Sequence, residues 1–252
     1  MSKVKTSSID VHEVNRLIAD FEKYTTDNRN KCCDLLIPIE VKVHFTKVFN
    51  QKILNEIALF QNWYFSTKKT NELDFILCAA LSCLEEVSFI RKHGSHYRFM
   101  NKDNVGVNHI NAKISFENLD FIAAMKHKLN KQIKDVSHKI SSNNIEVCLA
   151  DARFHKLPNG IKADYIVTSP PYLNRNNYIA QSKTEIFFAG LVNSVASYKK
   201  LVGNTLRSHV EAKSPNISVE IPKIVSDITH LVSERGESYK GISDMIKGYF
   251  EI

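Results

Sequence analysis

Glycine is scarce in this chain of 252 residues: there are eight, and no two of them are spaced Gly-x-Gly. Phosphate-cradling loops need closely spaced glycines, so that backbone N–H groups can approach the phosphate. No Walker loop exists here, and nucleotide hydrolysis has no support in the sequence. Cysteine is sparse too, and Cys32, Cys33, Cys78, Cys83 and Cys148 lack the paired spacing of a zinc site. Cys32 and Cys33 are adjacent and poorly placed to bridge each other, so reduced structural thiols are expected. No window approaches the run of about eighteen apolar residues that a membrane span requires. The opening MSKVKTSSID carries charge but no apolar core of a signal peptide, so a cytoplasmic location is expected.

What is present suits a soluble protein with a sizeable core. The chain is 43% hydrophobic and 24% charged, long enough for one large domain or one domain with a helical insertion. A net charge of +7 permits a polyanionic partner without demanding one. Apolar residues recur at helical spacing over Val11 to Tyr24, Phe49 to Phe65, Asn71 to Arg91 and Phe116 to Ile140. The last of these carries Lys126, Lys128, Lys131, Lys134 and Lys139, a run read first as a solvated face and second as a nucleic-acid contact. Helical spacing returns over Thr184 to Lys200, Ile221 to Arg235 and Tyr239 to Phe250. Metal sites have little support. His93 and His96 lack a third ligand, and His12-Glu13 lacks the second histidine of a zinc protease helix.

Between the helices the pattern changes. Ile145-Glu146-Val147-Cys148-Leu149 and Asp164 to Val167 read as short strands, which suggests the parallel sheet of an α/β fold. In such sheets ligands bind beyond the carboxyl ends of the strands, where Asp151 and Ser169 fall. After the second run comes Thr168-Ser169-Pro170-Pro171-Tyr172. At average residue usage, Ser-Pro-Pro-Tyr arises by chance in roughly one chain per thousand. Consecutive prolines hold φ near −65° and donate no N–H, and each confines the residue before it to extended backbone. Such a segment offers acceptors only, namely its carbonyls and the Ser169 hydroxyl oxygen. That suits a ligand with an exocyclic amino group, with Tyr172 as a flat face for stacking. The bland alternative is a strand-ending turn with a buried tyrosine.

This five-residue run resembles the catalytic motif of amino-methylating DNA methyltransferases that use S-adenosylmethionine. The serine form is most typical of N4-cytosine enzymes, and Asp or Asn at that position of N6-adenine enzymes. Glu146 to Arg153 resembles the strand and acidic turn before that motif, which gives Asp151 a role beside the cofactor adenine. Thr168 would stand with it on the cofactor side. Trp63-Tyr64-Phe65 and Ala80-Leu81-Ser82, with Arg91 and Ser95, look like the helical region of one bacterial branch. Ser7-Ser8-Ile9-Asp10-Val11 looks like the strand end whose acid binds the cofactor ribose, so Asp10 is that acid or, alternatively, the N-cap of the next helix.

The resemblance implies a partial Rossmann-like methyltransferase sheet with a large helical portion, within one incomplete domain over 1–252. Helices would fill about 45–140, catalytic strands about 144–178 and C-terminal helices about 184–250. It implies double-stranded DNA as partner, with the target base flipped out and met by Ser169, Pro170, Pro171 and Tyr172. Restriction–modification is the expected setting. A C5-cytosine mechanism is disfavoured, because its nucleophilic cysteine typically follows a proline and none here does. The family's Phe-x-Gly-x-Gly cofactor loop has no counterpart. The chain therefore reads as the middle of such an enzyme, either one subunit of a split enzyme, with a second chain supplying the loop, or the product of a broken gene. An N6-adenine enzyme, a non-catalytic DNA-binding remnant, and methylation of an RNA or protein amide nitrogen remain as alternatives.

Overall fold

A computed structural model of the chain describes residues 2–29, 31, 33–93, 96–100, 119–136, 145–150, 157, 162–169, 173, 177–205 and 221–250. In chain order its elements are α1 (Ser2–Thr6), α2 (Val11–Asn28), α3 (Ile39–Val48), α4 (Gln51–Ser66), α5 (Asn71–Cys83), β1 (Ile90–His93), β2 (His96–Phe99), α6 (Phe121–Val136), α7 (Tyr178–Gln181), α8 (Lys183–Phe188), α9 (Val195–Gly203), α10 (Lys223–Ser233) and α11 (Glu237–Phe250). Two compact units divide the chain. The first takes residues 1–147 and 182–195, the second 148–181 and 196–252.

The first unit is built on α4. Its buried residues Ile53, Ile57, Phe60, Gln61 and Tyr64 recur at three- and four-residue steps and form one stripe facing inward. Asn50 starts this helix by accepting the Ile53 N–H at 2.9 Å, and Thr70 starts α5 by accepting the Leu73 N–H at 3.1 Å. Around Phe60 lie Phe21 of α2, Phe121 of α6 and Phe188 of α8, with ring centroids 5.7, 5.7 and 5.5 Å away. Gln61 is buried but satisfied at both ends of its amide. Its Nε2 donates to the Phe188 carbonyl and its Oε1 accepts from the Leu36 N–H, each at 2.9 Å.

Several expected helix bounds move, each for a visible reason. The expected helix over Asn71 to Arg91 stops at Cys83 because Ser88 and Arg91 tie up the following backbone. Ser88 Oγ donates to the Glu85 carbonyl at 2.8 Å, and Arg91 Nη1 donates to the carbonyls of Glu85, Ser88 and Ile90. Ile90 to His93 then turns into β1, which pairs antiparallel with β2 in the register Ile90 to Phe99 and His93 to His96. The expected helix over Thr184 to Lys200 is broken after α8. There Leu191 N–H bonds to the Ile186 carbonyl and Gly190 N–H to the Phe187 carbonyl, the paired closure of a Schellman turn. Pro38 starts α3, a helix that precedes the expected Phe49 to Phe65 run and that the periodicity did not identify.

The expected parallel sheet is not formed among the described residues, whose one sheet is the β1–β2 hairpin. Residues 145–150 and 162–169 are described, and they have no ladder partner. Their apolar side chains meet no second layer: Tyr165, Ile166 and Val167 are 90, 85 and 97% exposed. A strand pattern becomes a strand only when its backbone groups find partners and one face finds cover. In the second unit α10 and α11 pack together over Val225 and Met245, and Ser243 Oγ donates to the Thr229 carbonyl at 2.8 Å.

Gly190 gives a direct test of the first unit. Its φ is +63°, and a Cβ there would lie 2.8 Å from Cζ of Phe65. Phe65 is 39% exposed and can swing aside, so the left-handed backbone sets the penalty. Gly190→Ala should lower the unfolding free energy by about 1–2 kcal/mol, read as a lower urea midpoint. An unchanged midpoint would contradict the turn.

Candidate functional site

Of the residues singled out by the Pro-Pro motif, Thr168 and Ser169 are described. They lie at the end of the extended run 162–169 in the second unit, and both are exposed. Asp151, Pro170, Pro171 and Tyr172 lie outside the described residues. Beyond the motif, Asn177 is buried and caps α7: its Oδ1 accepts the Ala180 N–H at 2.9 Å. The Ser169 hydroxyl thus meets water rather than a closed pocket. A hydrogen bond to a substrate amine contributes little in that setting, and far more once water is excluded.

Asp10 lies in the first unit and acts as an N-cap. Its Oδ1 accepts from the N–H groups of His12 at 2.9 Å and Glu13 at 3.4 Å, and its own N–H donates to Glu72 at 3.3 Å. A carboxylate there also meets the positive end of α2 favourably. Its second oxygen takes no hydrogen bond among the described residues.

The other residues behind the family likeness mostly hold the first unit together. Trp63 donates from Nε1 to Asp20 at 2.9 Å, and the Tyr64 hydroxyl donates to Asp74 at 3.0 Å. Burial and that carboxylate raise the Tyr64 pKa well above the usual phenol range. Lys69 sits 3.3 Å over the Tyr64 ring centre. Of the lysine run on α6, Lys126 pairs with Glu22 and Lys128 with Glu86 at 2.9 Å. These pairs anchor α6 to α2 and to the turn after α5, while Lys139 lies outside the described residues. His93 and His96 face each other by backbone register, and no cluster of three metal-ligating side chains occurs among the described residues. No described helix is long and apolar enough to cross a membrane.

One partly buried polar pair left no trace in the sequence. His44 of α3 shares a 3.0 Å hydrogen bond with Thr184 at the start of α8, a residue 140 positions away. Burial, reinforced by Lys183 and Lys47, pushes the His44 pKa down to about 4. Neither residue stands in a motif, so only the fold reveals the contact.

Comparison with known proteins adds one relationship. The chain is similar to the type II methyltransferase M.BsoBI of Geobacillus stearothermophilus, at 22% identity over 243 residues. The match covers 80% of this chain and 48% of that protein, so the chain spans about half the length of its relative. No family model matches the chain, and no solved structure matches it. The chain is thus a distant relative of a methyltransferase across most of its length.

The His44 contact predicts a pH dependence. An unfolded histidine takes up its proton near 6.5, whereas folded His44 does so only near 4. Between those values the unfolded chain binds more protons, so stability falls as pH drops from 6.5 toward 4, and His44 has no effect above that window. The urea midpoint should decline across the window, and decline less steeply in His44→Gln. Equal slopes in the two proteins would refute the partly buried, neutral imidazole.

Proposed function

We propose that this chain is an amino-methylating DNA methyltransferase, or the target-base subunit of one, acting at cytosine N4 with S-adenosylmethionine. The observation that carries the proposal is Ser169-Pro170-Pro171-Tyr172 at the end of an apolar run, in a distant relative of a type II methyltransferase. Restriction–modification is the setting that relative suggests.

In this reading the cytosine leaves the DNA stack at a cost of a few kcal/mol. Tyr172 stacks on the extruded base. Ser169 Oγ and the Pro170 carbonyl accept hydrogen bonds from the amino group, which draws the nitrogen lone pair out of conjugation with the ring. Pro171 keeps those acceptors rigid and adds no competing donor. Positioning and local electrostatics supply most of the rate. Asp10, Asp151 and Thr168 are the residues that would hold S-adenosylmethionine, which when bound supplies an electrophilic sulfonium methyl group. Asp10 fits this role in one respect: the N-cap occupies its Oδ1, leaving Oδ2 to accept from ribose hydroxyls.

A second reading is a non-catalytic DNA-binding partner or remnant, favoured by the exposure of Tyr165, Ile166 and Val167 and by the missing Gly-x-Gly. A second chain bearing that loop would reconcile the two readings.

The test is methyl incorporation into DNA from labelled S-adenosylmethionine, with the modified nucleosides identified by mass spectrometry. N4-methylcytosine is expected, and Ser169→Ala and Tyr172→Ala should each lower its formation by about 100-fold. Equal incorporation by all three proteins would defeat the assignment, and N6-methyladenine as sole product would move it to the adenine class. Incorporation only after mixing with a second chain would support the subunit form. DNA binding with no cofactor binding in any mixture would leave the non-catalytic reading.

A further inference from the structure

We propose that the β1–β2 hairpin is a docking ribbon for duplex DNA, with its outer face meeting backbone phosphates and Arg98 as the principal contact. The choice of DNA among polyanions rests on the function proposed above. The ribbon itself belongs to the first unit, and Ser169 to the second.

Register assigns the two faces. Side chains alternate across a strand, and directly opposed residues share a face. Arg91 opposes Arg98 and His93 opposes His96, so one face carries those four residues. Ile90, Lys92, Tyr97 and Phe99 fall on the other. That second face is turned to the helical body: Ile90 is buried, and Lys92 pairs with Glu185 of α8. The basic face is left outside. There Arg98 is exposed and forms no salt bridge to another described residue.

An ordinary solvated surface intersperses charges of both signs, and this ribbon does not. No acidic residue occurs between Glu86 and Asp103. Like charges directly opposed across a ladder are destabilising, so Arg91 opposite Arg98 carries a cost that a bound polyanion offsets. Arg91 is already anchored, its Nη1 donating to the carbonyls of Glu85, Ser88 and Ile90. It fixes the base of the ribbon and leaves the guanidinium fork of Arg98 to meet a phosphate. Each strand has four residues, about 13 Å at about 3.3 Å per residue. The major groove of B-form DNA is about 12 Å wide and admits a two-stranded ribbon. That of A-form RNA is too narrow for side chains to enter, so DNA is the duplex that fits.

The experiment measures fluorescence anisotropy of a labelled DNA duplex with the full chain, without S-adenosylmethionine, from about 50 to 200 mM salt. Arg98→Gln should weaken binding about tenfold at the lower salt. It should also flatten the slope of log affinity against log salt by about 0.9, the loss of one phosphate contact. Lys23→Gln, which removes one exposed charge from α2, should leave both nearly unchanged. The urea midpoint of Arg98→Gln should be unchanged or higher, because a like-charge pair is relieved. Absence of duplex binding, an unaltered slope in Arg98→Gln, an equal loss in Lys23→Gln, a lowered midpoint, or tighter binding of duplex RNA would each overturn the proposal. Binding that depends on Arg98 without any methyl incorporation would uphold the ribbon and defeat methyl transfer. N4-methylcytosine formed by a chain whose DNA binding ignores Arg98→Gln would do the reverse.

Discussion

The stacking of Phe60 on Phe188 is the contact on which the first unit depends. The two rings lie 5.5 Å apart and 16° from parallel, and they join α4 to α8 across most of the sequence between them. Phe121 closes the triangle, edge-on to both, at 5.7 Å from Phe60 and 5.9 Å from Phe188. Each such pair contributes about 0.5–1.5 kcal/mol beyond its buried area. Gln61, one residue along α4, adds a directional bond to the Phe188 carbonyl, and that carbonyl is one a helix end cannot satisfy internally. The segment after the Pro-Pro motif is therefore held to the helical body by packing and by a hydrogen bond at the same point.

That arrangement separates two tasks. The helical body buries its aromatic residues among themselves and needs no parallel sheet to complete its core. The runs at 145–149 and 165–167, by contrast, carry strand-forming side chains with no layer to cover them. Their exposure is the physical counterpart of the missing glycine loop: both belong to the part of the proposed site that would face the cofactor. The buried residues are structural, and Ser169, the described residue of the proposed target-base site, is exposed.

Helices were legible because burial imposes a period on them. Val14, Leu17 and Phe21 show that period in α2, and all three are buried. Their ends were less legible. Asp10 is readable as a cap or as a ribose ligand because both roles ask the same thing of a carboxylate, acceptance of N–H or O–H donors at a chain turn. The stop of α5 at Cys83 depends on Arg91 gathering three carbonyls, and no local propensity encodes that. Contacts such as His44 with Thr184, or Trp63 with Asp20, join residues whose spacing in the chain carries no signal. The strand pattern at Asp164 to Val167 was legible as pattern, but pairing is a property of two segments and cannot be read from one.

The motif itself raises a different constraint. Its rigidity follows from covalent geometry: proline restricts its own φ and the backbone before it, whether or not a sheet forms. The acceptor pattern needed to grip an amino group is thus encoded locally. Enclosure is not. A charge interaction at a given distance is about fourfold stronger at a partly shielded protein surface than in bulk water, and it grows further as shielding increases. An exposed Ser169 therefore has the right kind of atom in surroundings that weaken it. Whatever closes over Tyr165, Ile166 and Val167, whether DNA or a second chain, must both bury apolar surface and exclude water from Ser169. In the proposed function those are one event, so assembly and catalytic competence would arrive together.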